Sequence, residues 1–175
     1  MFQFSTNESS ETPIIRQVQA ALDGGCRWIR LTGNHTAESV NQLIPLCQQA
    51  DAILVLDDNA EVVEQLRIHG LHLTSWTRGE LIAIREKLGP HAIIGVTCPE
   101  PALIEQLAGL DIDYMVIPAP AKADIPAYFV PFIEKLTTIK SEIHPVAAGD
   151  IPVSLRQAVL ATGIEGIEIN ESWNL

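Results

Sequence analysis

The sequence predicts an α/β fold, a TIM-type (β/α)8 barrel lacking the final helix. The first reason is strict alternation: short apolar segments take turns with helix-period segments over about eight units. The second is the stretch from Ile143 to Pro152, an apolar strand entering a turn at Ala148-Gly149, with Pro152 at the start of a helix. Such a junction leaves backbone N–H groups at a strand's carboxyl end, where a helix dipole favours an anion. In a (β/α)8 barrel the loops after strands seven and eight are the usual phosphate site. An open doubly wound sheet also alternates, so the strand count favours the barrel.

Phe2 to Ser5 is the first strand, followed by a polar loop. Thr12-Pro13 reads as an N-cap with proline at the first helical position, and Ile14, Val18, Ala21 and Leu22 repeat at helical spacing up to Gly24-Gly25. Cys26 to Thr32 is strand two. Thr36 to Ala50 is helical, with Pro45 inside it as a kink or a boundary. Ala52 to Leu56 is strand three, and Val62, Val63 and Leu66 lie on the next helix. Leu71 to Leu73 is a very short strand four, before a helix carrying Leu81, Ile84 and Leu88. Ala92 to Val96 is strand five, and Pro99 to Leu107 is helical. Ile112 to Ile117 is strand six, followed by a loop through Lys122 and a helix through Phe129, Phe132, Ile133 and Leu136. Ile143 to Ala147 is then strand seven, Val153 to Ala161 a helix, and Ile164 to Ile169 strand eight. The 175 residues read as one domain, 1–175.

Composition narrows the class. Hydrophobic residues at 47% and charged residues at 19% suit a globular chain. No apolar run reaches membrane-spanning length, and Met1 to Ser5 lacks the pattern of a signal peptide. Cys26, Cys47 and Cys98 form no close pair, which argues against a disulfide framework or zinc site and fits a cytoplasmic protein. A formal charge of −11 disfavours nucleic acid or an anionic membrane as partner, but leaves room for a small phosphorylated metabolite.

Outward barrel residues meet helices and are apolar. That places Ile29 and Leu31 outward in strand two, with Trp28, Arg30 and Thr32 inward. By the same reasoning His72 faces in from strand four, Gly95 and Thr97 from strand five, and Gly166, Glu168 and Asn170 from strand eight. Alternate strands build each interior layer, so Arg30, His72 and Glu168 fall at similar height. Glu168 is the natural partner of a buried Arg30. The trio is either a structural ion pair filling the barrel or a charged floor beneath a ligand. On the outer face, Ile167 and Ile169 lack a following helix to cover them. A partner subunit, most simply in a homodimer, or the tail with Trp173 is expected to do so.

Several short motifs come in a telling order: Ala20-Ala21-Leu22-Asp23-Gly24-Gly25, Arg30-Leu31, Asp57-Asp58, His72-Leu73, Ile94-Gly95-Val96-Thr97, Asp113-Tyr114 and Pro145-Val146-Ala147-Ala148-Gly149-Asp150-Ile151. In this order and spacing the chain resembles thiamin phosphate synthase, a layout shared by the thiazole tautomerase branch. The resemblance implies a transferase of thiamin biosynthesis that joins a pyrimidine diphosphate to a thiazole phosphate, with Mg2+ and release of pyrophosphate. It implies Asp58 as a magnesium ligand beside Asp57, Thr97 as a pyrophosphate contact, Gly149 in the thiazole-phosphate loop, and Lys122 as the lysine after strand six.

The chain also departs from that pattern. The family's Gln-x-Arg-x-Lys after strand two is replaced by Arg30, Thr32 and Asn34. Its Gly-Gln-x-Asp after strand four becomes Thr74-Ser75-Trp76-Thr77, and its second loop glycine becomes Asp150. The tautomerase histidine after strand five gives way to Pro99. A diphosphate leaving group needs its charge neutralised. The expected function is therefore a synthase-like protein with a degenerate site, joining or processing thiamin precursors, or alternatively a catalytically silent binding or regulatory protein.

The candidate catalytic groups are Arg30, His72, Lys122 and Glu168. Candidate substrate- or phosphate-binding groups are Thr32, Asn34, Trp76, Thr97, Gly149, Asp150 and Asn170, and the candidate metal ligands are Asp57 and Asp58. Each has a plainer reading beside it. Asp57-Asp58 is a cation site or a turn with a helix N-cap. His72 is a general acid–base group or a hydrogen-bonded core histidine. Lys122 is a Schiff-base lysine or a solvated one. Trp76 stacks on a pyrimidine or packs as a lid.

Overall fold

A computed structural model describes residues 2–10, 12–121 and 124–170. Its eight strands are β1 (Phe2–Ser5), β2 (Trp28–Leu31), β3 (Ile53–Asp57), β4 (Gly70–Leu73), β5 (Ile93–Thr97), β6 (Tyr114–Pro118), β7 (His144–Ala148) and β8 (Gly166–Ile169). Every neighbouring pair is parallel, and β8 pairs with β1, closing the barrel. The helices are α1 (Ile14–Asp23), α2 (Ala37–Asn41), α3 (Ile44–Gln49), α4 (Ala60–Leu66), α5 (Arg78–Leu88), α6 (Val130–Thr138) and α7 (Val153–Leu160). β8 is the last element among the described residues. The expected (β/α)8 architecture is the one observed, with closure supplied by pairs such as Gln3 with Glu168.

Some local expectations are corrected. Pro13, not Thr12, holds the N-cap position of α1, and no side chain caps that helix. The single helix expected over 36–50 is two. Pro45 sits in the first turn of α3, where its missing N–H is harmless, so it marks a boundary rather than a kink. The segment after β5 is a 3₁₀ helix, Pro101–Leu107, not an α-helix. Asn59, not Asp57 or Asp58, caps α4, its side chain accepting the Val62 N–H at 3.2 Å.

Alternation along the strands sorts the barrel into two layers, as the sequence reading expected. Ile29, Leu31, Leu54, Leu56, Leu71, Ile94, Val96, Met115 and Ile117 join the helices in one large outer core. A separate small cluster of Tyr114, Val116, Val146 and Ala148, with Trp28 and Ile93, lies inside the barrel. Ile167 and Ile169 are buried in the outer core at 1% and 8% exposure. The exposed face that pointed to a homodimer is therefore covered within one chain. The postulated cover, Trp173, lies outside the described residues.

Two glycines make close approaches possible. A Cβ on Gly95 would sit 2.1 Å from a ring carbon of Tyr114, so the bare strand lets that phenol cross the barrel. Gly149, at φ +119°, would meet the Ala119 carbonyl oxygen at 2.7 Å.

Candidate active site at the carboxyl end of the barrel

The site begins with the polar side chains that alternation turns inward. β8 and β1 to β5 send Glu168, Gln3, Ser5, Arg30, Asp57, His72 and Thr97 toward the barrel axis, opposite the apolar wall of β6 and β7. Arg30 holds them together. Its Nε donates to Oδ1 of Asp57 at 2.7 Å and its Nη2 to Oδ2 at 2.9 Å, a two-pronged pair. Its Nη1 donates to Oε2 of Glu168 at 3.0 Å, an oxygen that also accepts from Gln3 Nε2 at 3.1 Å. Burial works against the guanidinium charge, but Glu168 and Asp57 more than offset it and raise the group above its ordinary range. Burial lifts the Asp57 carboxyl to about 6, against the pull of Arg30, so the pair is ionic at neutral pH.

A second chain of hydrogen bonds runs beside the first. His72 is fully buried on β4, with Nδ1 at 3.0 Å from the Tyr114 hydroxyl and Nε2 at 2.8 Å from Oγ1 of Thr97. Burial, helped by the nearby Arg30 charge, pushes its pKa well below the ordinary histidine value, so the ring is neutral. The unfolded chain takes up this proton near pH 6.5 and the folded chain does not. Relative to His72→Gln, the wild type should therefore lose about 1.4 kcal/mol of stability per pH unit as pH falls below 6.5. Urea unfolding of both proteins between pH 7 and 5 checks this, and parallel stability curves would contradict it.

The structure brings Arg30, Glu168 and Asp57 into one network, with His72 and Thr97 in another. Thr32 is tied to Thr6, its N–H donating to Oγ1 of Thr6 at 3.0 Å and its hydroxyl to the Thr6 carbonyl. Trp76 packs against the outer core, and its Nε1 donates to the Thr97 carbonyl at 2.8 Å, which pins it to the rim of β5. Asn34, Gly149, Asp150 and Asn170 are exposed on loops beyond the strand ends. Lys122 lies outside the described residues. Cys98, next to Thr97, points into the outer core, and burial pushes its thiol up to about 11, which makes it a poor nucleophile.

Sequence reasoning missed three members of the site. Gln3 could have been found by the same alternation, because it lies between Phe2 and Phe4. Tyr114 gave a weaker signal, a polar tip at the start of an apolar strand. Thr74 gave none, since it acts from a loop.

The magnesium reading can be tested against these donors. Both oxygens of Asp57 are taken by Arg30. Asp58, held at φ +52°, accepts the Thr74 N–H on Oδ1 at 2.9 Å and the Thr74 hydroxyl on Oδ2. Among the described residues no three His, Cys, Asp or Glu side chains gather to hold a metal ion. As arranged, these residues do not fit a divalent cation.

A family model for thiamine monophosphate synthase matches residues 3–171. The chain belongs to that family. A thiamine-phosphate synthase of Bacteroides fragilis is 31% identical over 186 residues, covering 96% of this chain and 89% of the relative. A thiamine-phosphate synthase of Methylobacillus flagellatus is 25% identical over 179 residues, covering 97% of this chain and 84% of the relative. Among solved structures, thiamine phosphate pyrophosphorylase from Pyrococcus furiosus superposes with a TM-score of 0.75 at 23% identity, over 97% of this chain and 84% of that one. This last likeness speaks to the fold. The thiamine monophosphate synthase barrel is thus the frame on which the Arg30 network is built. Among the described residues no helix is long and apolar enough to cross a membrane.

Proposed function

We propose that the chain is a synthase-like protein of thiamin biosynthesis. In this reading it takes a phosphorylated thiazole or pyrimidine precursor at the carboxyl end of the barrel, and its diphosphate-handling groups are degenerate. Family membership supports the pathway. The observation that carries the degenerate part is the commitment of Arg30, which spends its side-chain hydrogen bonds on Asp57 and Glu168 and turns inward. A leaving diphosphate would then draw no neutralising charge from Arg30.

The groups that remain suit a single phosphate. With Tyr114 donating to Nδ1 of His72, the Nε2–H donates to Thr97, and the Thr97 hydroxyl proton is left for a phosphate oxygen. His72 and Tyr114 act in this scheme as positioning residues. Gly149, exposed after β7, offers its backbone to a ligand. Asp150 carries a negative charge beside Gly149 and weakens the grip on a dianion.

The test is an assay with both precursors and magnesium, run beside the Bacteroides fragilis relative. The expected rate of thiamin phosphate formation is at least about a hundredfold below that of the relative, the order lost when one stabilising donor is removed. A thiazole phosphate or thiamin phosphate should still raise the melting temperature. A rate equal to that of the relative would overturn the reading. Stabilisation without any turnover would favour the second reading, a silent binding or regulatory protein, which the inward commitment of Arg30 also supports.

A further inference from the structure

We propose that Arg30 is a built-in counter-cation that takes the place of a divalent metal, so that the native protein keeps its acidic cluster metal-free. Two buried carboxylates, Asp57 and Glu168, converge on Arg30, and Asp58 follows Asp57 at the end of the strand. Such a cluster needs positive charge, and a divalent cation is one way to supply it. Here the guanidinium supplies it instead. It covers both oxygens of Asp57 and one of Glu168, with side-chain exposures of 7% for Arg30, 3% for Asp57 and 10% for Glu168. The remaining acid, Asp58, is satisfied by the Thr74 N–H and hydroxyl. A cation entering the cluster would have to displace a buried, two-pronged ion pair and break the Thr74 contacts as well.

The consequence concerns metal alone, so it stands or falls apart from any thiamin precursor. Removing the guanidinium leaves the buried carboxylates of Asp57 and Glu168 facing one another without a counter-charge, and their affinity for a hard divalent ion should rise. Mn2+ serves as the probe, with free ion followed by its paramagnetic resonance signal. Wild type, Asp58→Asn and Arg30→Gln are titrated in parallel at pH 7.5. The wild type and Asp58→Asn are expected to be indistinguishable and to bind no Mn2+ at micromolar concentrations. Arg30→Gln is expected to bind at least tenfold more tightly than wild type. Thr74→Val, which removes the hydroxyl bond to Asp58 and leaves the backbone N–H in place, is expected to behave as wild type.

Micromolar binding by the wild type that Asp58→Asn abolishes would overturn the proposal, and this arm needs no destabilised variant. So would a folded Arg30→Gln protein, checked by circular dichroism, that binds no better than wild type. If thiamin phosphate formation were found to equal that of the relative while the wild type still bound no Mn2+, the functional reading would fail and this inference would survive.

Discussion

Replacing Arg30 with Met is expected to destabilise the protein by about 3–5 kcal/mol, the usual result of removing one partner from a buried ion pair. The loss comes less from forfeited attraction than from what remains, since Asp57 and Glu168 stay buried and must either carry unpaired charge or take up a proton. A second variant separates these causes. Arg30→Met combined with Asp57→Asn and Glu168→Gln removes the orphaned charges and should recover most of the stability. Denaturant unfolding at pH 7 measures both. An Arg30→Met protein within 1 kcal/mol of wild type would mean that water or another cation compensates the carboxylates, and that the barrel interior is more open than the network implies.

Gly95→Ala is expected to cost about 3 kcal/mol, at the upper end of over-packing effects. The added Cβ would stand 2.1 Å from a carbon of the Tyr114 ring and 2.7 Å from its hydroxyl oxygen. The ring has nowhere to go, because it packs edge-on against Trp28 at 5.3 Å and holds His72 through its hydroxyl. The same substitution made in a Tyr114→Leu background should cost much less, since the obstructing ring is gone. Equal costs in the two backgrounds, read from thermal and urea unfolding, would show that Gly95 serves some purpose other than clearance for Tyr114.

Most of the fold was legible because strand periodicity is a local signal. Ile29 and Leu31 on β2, or Ile94 and Val96 on β5, announce which face meets helices, and the partners across the barrel follow from the count of strands. The pairing of Arg30 with Glu168 came from the same reasoning. What escaped depends on reach rather than period. Asp57 was assigned to a metal because it precedes Asp58 at a strand end. The alternation that turns Leu54 and Leu56 outward also turns Asp57 inward, beside the strand that carries Arg30. Choosing between the two partners required knowing that a guanidinium spans neighbouring strands and that Thr74 folds back onto Asp58. Over 36–50 the sequence left Pro45 open as a kink or a boundary, because proline fits a first turn as well as a kink, and only the tertiary path of the chain decides for the boundary.

The central claim is that an arginine occupies the middle of the acidic cluster. A crystal structure grown with Mn2+ and a thiazole phosphate tests it most directly, using the anomalous signal of the metal. The account predicts Arg30 still forked onto Asp57 and bonded to Glu168, with no anomalous peak among Asp57, Asp58 and Glu168. A Mn2+ ion seated between Asp57 and Asp58, with the guanidinium swung away, would contradict it.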